Sequence, residues 1–352
     1  MKKLIGALGL ALCSLLAQAQ TDKYNIGVYY FPGWADNQKG AVFPQPWEKI
    51  KPFPEREPKL GWYKEGSDEV TRQHIDWMAE YGINFVAYDW YWGKDNKVFL
   101  EHALAAHMRA PNREKVKISL LWANHDGMLA SKDNFERMVT YWAKYYFQRP
   151  EFLRIEGKPV VFVFYADFLQ ADAAKFGSST KALLESAQNI AKQNGLPGIY
   201  FVAGTGAASP MIDSFAKDAG YSALSAYNYH QGLYSPIQSH NYEQLDKAYR
   251  EHWSRFVSKG NLPLVVPMTS GWDKRPWGGS KDPLHDMSFG EPGLFEGHLR
   301  AAKATMDSIK TDAPKMGVIC CWNEFGEGSY IEPTKKDGFS YLEKVKKVFG
   351  TP

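Results

Sequence analysis

Eight short runs of apolar, β-branched or aromatic residues punctuate the chain: Ile26 to Phe31, Ile83 to Asp89, Val116 to Trp122, Val160 to Tyr165, Ile199 to Ala203, Leu224 to Tyr227, Leu264 to Met268 and Gly317 to Trp322. Each reads as a strand buried on both faces. Helical stripes lie between them. Val70, His74, Trp77, Met78 and Tyr81 repeat at helical spacing and stop at Gly82. Leu183, Leu184, Ala187, Ile190 and Ala191 form a second stripe, closed by Gly195 and Pro197. A third starts at a capping residue, Asn241, runs through Leu245, Tyr249, Trp253 and Phe256, and ends at Gly260.

This alternation, without a Pro/Gly/Ser linker, charge block or low-complexity tract, predicts the α/β class and a single (β/α)8 TIM barrel; an open doubly wound sheet is the alternative. Connection lengths give a second argument. Segments that follow strands are long (Pro32 to Ser67, Tyr229 to His240, Thr269 to Pro292), whereas turns after helices, as at Gly82 and Gly220, are short. Long loops at the carboxyl ends of parallel strands are where barrel sites are built.

The first residues, MKKLIGALGLALCSLLAQAQ, combine two lysines, an apolar run and the small pair Ala17 and Ala19. They predict a secretory signal peptide over residues 1–19, cleaved near Ala19, a barrel domain over 20–352, and a periplasmic or secreted location. A lipoprotein reading at Cys13 is weakened by Leu12, where a small residue belongs. No later stretch has the length for a membrane span. The formal net charge is +3, and Lys2 and Lys3 of the leader supply two of those charges. With no basic cluster remaining, nucleic acid is not expected as a partner. Cys320 and Cys321 are adjacent, which excludes zinc spacing and a disulfide framework. The expectation is two buried, unpaired thiols, with a vicinal disulfide as the minority alternative. The nine His residues show no ligand spacing, so neither a metal nor a cofactor is expected. The pattern leaves the oligomeric state open.

Aromatic residues make up 15% of the chain, more than a core requires, and they gather with polar groups at the strand ends. Tyr29 and Tyr30 close the first strand; Asp89, Trp90, Tyr91 and Trp92 close the second; Trp122, Asn124, His125 and Asp126 follow the third. Tyr165 and Asp167, then Tyr227, Asn228 and His230, then Trp272 and Asp273, and finally Asn323, Glu324 and Glu327 complete the set. Rings stack on sugar C–H faces, and amides and carboxylates pair with sugar hydroxyls, so this mixture suits a glycan cleft and a carbohydrate substrate. There is no GxGxxG after the first strand, no Walker loop, no GxSxG elbow and no HExxH to compete. Each assignment has a plainer counterpart. Asp89 could orient a sugar hydroxyl or a base, or simply cap a strand. Alternation lets only one of Trp90 and Trp92 face the mouth. His125 and Asp126 could pair in the site or close a turn. Lys51 to Lys59 reads as a solvated part of the first loop, with Trp62 and Tyr63 as a subsite wall.

Hydrolysis of a glycoside takes one protonated and one ionised carboxyl group. Glu324 and Glu327, set three apart with Gly326 and Gly328 to let the chain turn, could supply both after the eighth strand.

The segment Trp322-Asn323-Glu324-Phe325-Gly326-Glu327-Gly328, continued by Ile331-Glu332-Pro333, resembles the glycoside hydrolase family 99 clan and the related WbsX-type domains. Those barrels end in a motif like Trp-Asn-Glu-Trp-x-Glu-Gly followed by Ile-Glu-Pro. Tyr29, Tyr30 and Pro32 in the opening strand, and the block Tyr88-Asp89-Trp90-Tyr91-Trp92, are also similar to that clan. The resemblance implies a retaining cleavage of an α-mannoside with Glu324 as base and Glu327 as acid. The base would deprotonate the substrate's own 2-hydroxyl to give a 1,2-anhydro sugar. Gly326 stands where the endo-mannosidase branch tends to carry His, and Phe31-Pro32-Gly33-Trp34 differs from that branch's first aromatic block. These departures bear on substrate identity and bond position. A WbsX-type glycosyltransferase and a non-catalytic glycan-binding protein are the rival classes. The transferase would need an activated donor not expected outside the cytoplasm, and the binder would not need two carboxylates in one loop.

Overall fold

The computed structural model describes residues 24–310 and 315–350. The signal peptide read at residues 1–19 lies outside them. Eight parallel strands form the centre: β1 (Asn25–Tyr30), β2 (Phe85–Trp92), β3 (Lys117–Trp122), β4 (Lys158–Val163), β5 (Tyr200–Gly204), β6 (Ala223–Ser225), β7 (Val266–Thr269) and β8 (Met316–Cys320). They pair in the order β6-β5-β4-β3-β2-β1-β8-β7. The ring closes between its ends. Leu224 of β6 bridges Leu264 in parallel, with Leu224 N–H donating to Pro263 O at 2.8 Å and Val265 N–H to Leu224 O at 2.9 Å. The predicted barrel is therefore closed.

The stripes become helices where the sequence put them. α1 (Asp68–Glu80) is capped by Ser67, whose side chain accepts from Val70 N–H, and Gly82 beyond it takes φ +83. α2 is His102–Arg109 and α3 is Lys132–Tyr145, capped by Ser131. α4 (Thr180–Gln193) is capped by Ser179, and α5 is Phe215–Ala219. α6 (Tyr242–Lys259) is capped by Asn241, whose side chain accepts from Gln244 N–H at 2.8 Å. α7 (Pro292–Ser308) and α8 (Ser340–Phe349) complete the outer ring. Among the described residues, no helix is long and apolar enough to cross a membrane.

The strands separate two apolar layers. Phe85, Ala87, Leu121, Phe162, Val202 and Val318 fill the barrel interior, all at 2% exposure or less. Val28, Val86, Ile118, Leu120, Val161 and Ile319 pack outward beneath the helices. Gly27 is demanded by this interior, because a Cβ there would run into the Phe85 ring. Contrary to the expectation of free thiols, Cys320 and Cys321 are joined as a disulfide. The peptide between them is cis, and both side chains lie in the inner cluster. Alternation along a regular strand, the basis of that expectation, does not hold at this step.

Candidate active site at the carboxyl mouth of the barrel

β8 ends in a tight turn built by backbone bonds. Asn323–Glu324 pairs antiparallel with Ser329–Tyr330, and Glu327 N–H donates to Glu324 O at 3.1 Å. Asp273 N–H donates to Glu327 O at 2.7 Å, tying the turn to the loop after β7. The glycines answer to close approach. A Cβ on Gly328, at φ +67, would stand 2.6 Å from Asp273 N, and one on Gly326 would enter the Trp277 ring. Trp277 therefore packs directly against the turn backbone at Gly326.

This turn, with the end of β2, brings three carboxyl groups together. Asp89 and Glu324 are buried, at 6% and 4% exposure, and Glu327 is half-buried. Glu324 Oε1 accepts from Tyr227 O–H at 3.0 Å. Glu324 Oε2 and Asp89 Oδ1 are buried without a hydrogen-bond partner, which for carboxylate oxygens is costly unless a ligand supplies the donor. Burial, then repulsion from Glu327 and Asp89, pushes the Glu324 carboxyl well above the usual range. Burial, then Glu327, does the same to Asp89. Burial lifts Glu327 to about 7, against an opposing pull from Lys274. Acids this close disfavour one another's ionisation, so the cluster favours holding protons.

A cavity of about 580 Å³ opens beside Glu327, lined by Tyr165, Tyr227, Asn228, His230 and Trp272 among others. Tyr29 stacks on Tyr227 with ring centroids 5.3 Å apart. His230 stands edge-on to Trp272 at 4.3 Å. His125 sits at the exposed rim, its ring 5.0 Å from Phe164 and 6.3 Å from Tyr91. These sequence-predicted residues converge.

Others do not. Trp90 and Trp92 are two apart, so both point the same way, and that way is outward. Their rings stack 5.7 Å apart, and Trp90 Nε1 donates to Tyr146 O–H at 2.9 Å just past the end of α3. The expectation that one of them faces the mouth is corrected. Trp122 also faces α3, packing on Phe135 and Trp142. Tyr30 packs on His74 of α1 and on Tyr88. The amides of Asn124 and Asn323 serve the backbone. Asn124 donates to Tyr165 O and accepts from Tyr165 N–H, at 2.8 and 2.9 Å. Asn323 does the same with Phe31, both at 2.9 Å. Asp126 is exposed and paired with Lys175. Asp273 is consumed by Arg56 and Arg275, which hold its carboxyl below the usual range. Asp167 accepts from Thr205 and Ser209 hydroxyls at 3.0 Å.

Sequence reasoning grouped Tyr91 with its strand end without giving it a role, and passed over Lys274, Arg56 and Glu65. Tyr91 shares a strand face with Asp89, a signal available from alternation alone. Arg56, at 3% exposure, corrects the reading of Lys51 to Lys59 as solvated. It donates to Phe325 O at 2.7 Å and to Asp273 O at 3.0 Å, bracing the turn that carries Glu324 and Glu327. Glu65 accepts from Trp34 N–H at 2.9 Å and lies 2.8 Å from His102 Nε2. Tyr63 is buried and donates to Glu332 at 2.9 Å, while a smaller cavity is lined by Trp34, Trp47, Trp62 and Tyr63. Among the described residues, no group of three or more His, Cys, Asp or Glu could hold a metal ion.

Fold and site together define a closed (β/α)8 barrel with an acidic, ring-lined cleft at its carboxyl mouth. The chain matches the family described as Glycosyltransferase WbsX over residues 51–345 and belongs to that family. Uncharacterized protein WxcX of Xanthomonas campestris pv. campestris is 22% identical over 308 residues, which cover 82% of this chain. The match spans only 42% of that protein's length. Among solved structures, a glycoside hydrolase-like protein superposes with TM-score 0.67 at 15% identity, covering 100% of this chain and 98% of that one. The GH99 endo-α-mannosidase from Bacteroides thetaiotaomicron gives TM-score 0.65 at 16% identity, covering 93% and 97%. At these identities the likeness is one of fold.

Proposed function

We propose that this chain is a retaining glycoside hydrolase acting on an α-mannoside-type linkage in an oligosaccharide or polysaccharide, in the periplasm or outside the cell. The observation that carries this reading is the trio Asp89, Glu324 and Glu327, of which Glu327 borders an aromatic cavity and is held near neutral pKa. A general acid works best with a pKa near the operating pH. Glu327 borders the cavity, where it can reach a leaving oxygen. Glu324 accepts from Tyr227 O–H, an interaction that favours the ionised form a base needs and opposes the burial and repulsion that raise its carboxyl.

In the first step Glu324 takes the proton of the substrate's 2-hydroxyl, and O2 attacks the anomeric carbon as the bond to the leaving oxygen breaks. Glu327 gives its proton to that oxygen. Water then opens the 1,2-anhydro sugar, losing a proton to Glu327 while Glu324 returns one to O2. Two inversions at one carbon give net retention. The description of the family as a glycosyltransferase favours a second reading, sugar transfer, in which an acceptor hydroxyl replaces water.

The test is a panel of α-mannans and other polysaccharides, read by released reducing ends and by NMR of the first-formed anomer. Retained configuration, with no adduct on Glu324 after incubation with a 2-fluoro analogue, is expected. An inverted product rejects the mechanism, and an adduct on Glu324 replaces the anhydro route with double displacement. Saturable binding without product would leave a glycan-binding protein.

A further inference from the structure

A line of hydrogen-bonding groups runs from the loop wall of the cavity to its interior, and its polarity is fixed at one end. Ser239 O, a carbonyl that can only accept, lies 2.9 Å from His285 Nδ1. The Ser239 hydroxyl also lies 3.1 Å from that nitrogen, but its hydrogen has an acceptor in His230 O at 3.3 Å, whereas the carbonyl has no hydrogen to give, so the nitrogen is assigned the hydrogen. His285 is buried, at 1% exposure, and burial lowers its pKa, so the ring is neutral and its Nε2 is a lone pair. His230 Nδ1 lies 3.0 Å from that lone pair, so it too must be an N–H. Burial, with His285 and Lys274 nearby, drives the His230 pKa down to about 3. A neutral His230 with hydrogen on Nδ1 presents only a lone pair at Nε2, and among the described residues that nitrogen has no hydrogen-bond partner.

His230 lines the cavity together with Glu327, Tyr227 and Asn228. Its ring is wedged edge-on against Trp272 at 4.3 Å, while Trp272 Nε1 is engaged by Ser280 at 2.9 Å. Ser239 is itself held by His230 O, which accepts from Ser239 N–H at 2.9 Å, and by Ser288, whose hydroxyl donates to Ser239 O at 3.0 Å. The relay is therefore braced at both ends. Neither histidine is close to its ordinary solvated state, and neither is needed for proton transfer by the two glutamates.

We propose that His230 is a specificity-determining residue whose Nε2 accepts the O–H of a sugar hydroxyl beside Glu327, with His285 and the Ser239 carbonyl as positioning groups that lock it in the accepting tautomer. This rests on the reading of the cavity as a glycan site. An acceptor locked in this way discriminates by chemistry. A free hydroxyl can donate to it, whereas a deoxy or O-methylated sugar at that position cannot, leaving Nε2 unpaired.

Selective ¹⁵N-histidine labelling of the full protein tests the device without knowledge of the substrate. His230 is expected to show a protonated Nδ1 and an unprotonated Nε2 across neutral pH, and His285→Phe is expected to release it to a mixture of tautomers. A hydrogen on His230 Nε2 in the wild type overturns the proposal. Methyl α-mannopyranoside and its mono-deoxy analogues are then added, and the Nε2 signal is expected to move for the parent and for all but one analogue. In a parallel assay on α-mannan, His230→Phe is expected to raise KM about 10-fold with kcat little changed, as for loss of one uniform binding contact. If mannan is cut but no glycoside moves the Nε2 signal, the acceptor role falls and the hydrolase reading stands. If the signal moves but no glycan is cut, the acceptor role stands and the hydrolase reading falls. If neither occurs, both fall.

Discussion

A lone acid, Asp273, and a trio, Asp89, Glu324 and Glu327, meet at the mouth of this barrel, joined by a backbone bond from Asp273 N–H to Glu327 O. Asp273 faces two guanidinium groups, from Arg56 and Arg275, and its carboxyl is held below the usual range. Asp89, Glu324 and Glu327 face one another, Glu327 borders a cavity, and all three are pushed up. Loss of water raises the pKa on both sides. What differs is whether the fold itself supplies the counter-charge. Where it does, the acid is part of the scaffold; where it does not, the uncompensated oxygens await a partner from outside.

The largest expected effect breaks the comparison on its chemical side. Glu327→Gln keeps the shape but cannot deliver a proton, so turnover of substrates with poor leaving groups should fall about 10²- to 10⁴-fold while binding, read by calorimetry, survives. Near wild-type turnover would remove Glu327 from the mechanism. In the wild type, kcat/KM should decline as pH rises through about 7, where Glu327 loses its proton.

Arg56→Met attacks the scaffold side. It leaves Asp273 buried with only the half-exposed Arg275 as counter-charge and removes the donors to Phe325 O and Asp273 O. A loss of about 3 kcal/mol in urea unfolding is expected, the lower end of the range for breaking a buried pair. A cost under about 1 kcal/mol would mean that Arg56 is dispensable to the turn.

The two sets should also oppose each other in the pH dependence of stability. Asp273 has a depressed folded pKa, so its contribution is present above the ordinary value of 3.8 and is lost as pH falls through the lower folded value. Glu327 has a raised one, so the folded state is favoured below the ordinary 4.5 and loses that advantage as pH climbs through about 7. Glu327→Gln should therefore lose less stability than the wild type between those two pH values, measured by urea midpoints. An equal loss in both proteins would assign the slope to other groups.

The smallest effect is expected at Asp126, whose pair with Lys175 is solvated on both sides. Asp126→Asn should change stability by no more than about 0.5 kcal/mol and leave KM unaltered. A rise in KM would return this residue to the site.

Much of the site was legible because a barrel puts every strand's carboxyl end at one mouth. Tyr29, Tyr165, Tyr227, Asn228, His230, Trp272, Glu324 and Glu327 needed only that rule to be grouped. The same rule over-collected, drawing in Tyr30, Trp90, Trp92 and Trp122, which end strands but face the helices. These strands are buried on both faces, so polarity along them gives no cue to direction, and an outward tryptophan resembles an inward one in sequence. Tyr91 was recoverable from its alternation with Trp90, whereas Arg56 was not. Nothing local distinguishes a buried arginine in a charged, proline-rich loop from its solvated neighbours, and its partner Asp273 is 217 residues away.

The sequence by itself determined the eightfold alternation, the helix caps, the long loops at one end and the glycine-bounded turn with two glutamates. All of these are set by neighbours within a few residues, through backbone preference and hydrophobic period. Only the tertiary structure decided which rings reach the cavity, that Cys320 and Cys321 are bonded, that Asp273 faces two guanidinium groups while Asp89, among the described residues, faces none, and that His230 lies against His285. Each of these depends on groups brought together from distant parts of the chain, because charge compensation and hydrogen-bond polarity belong to the assembled surroundings and not to the residue that displays them.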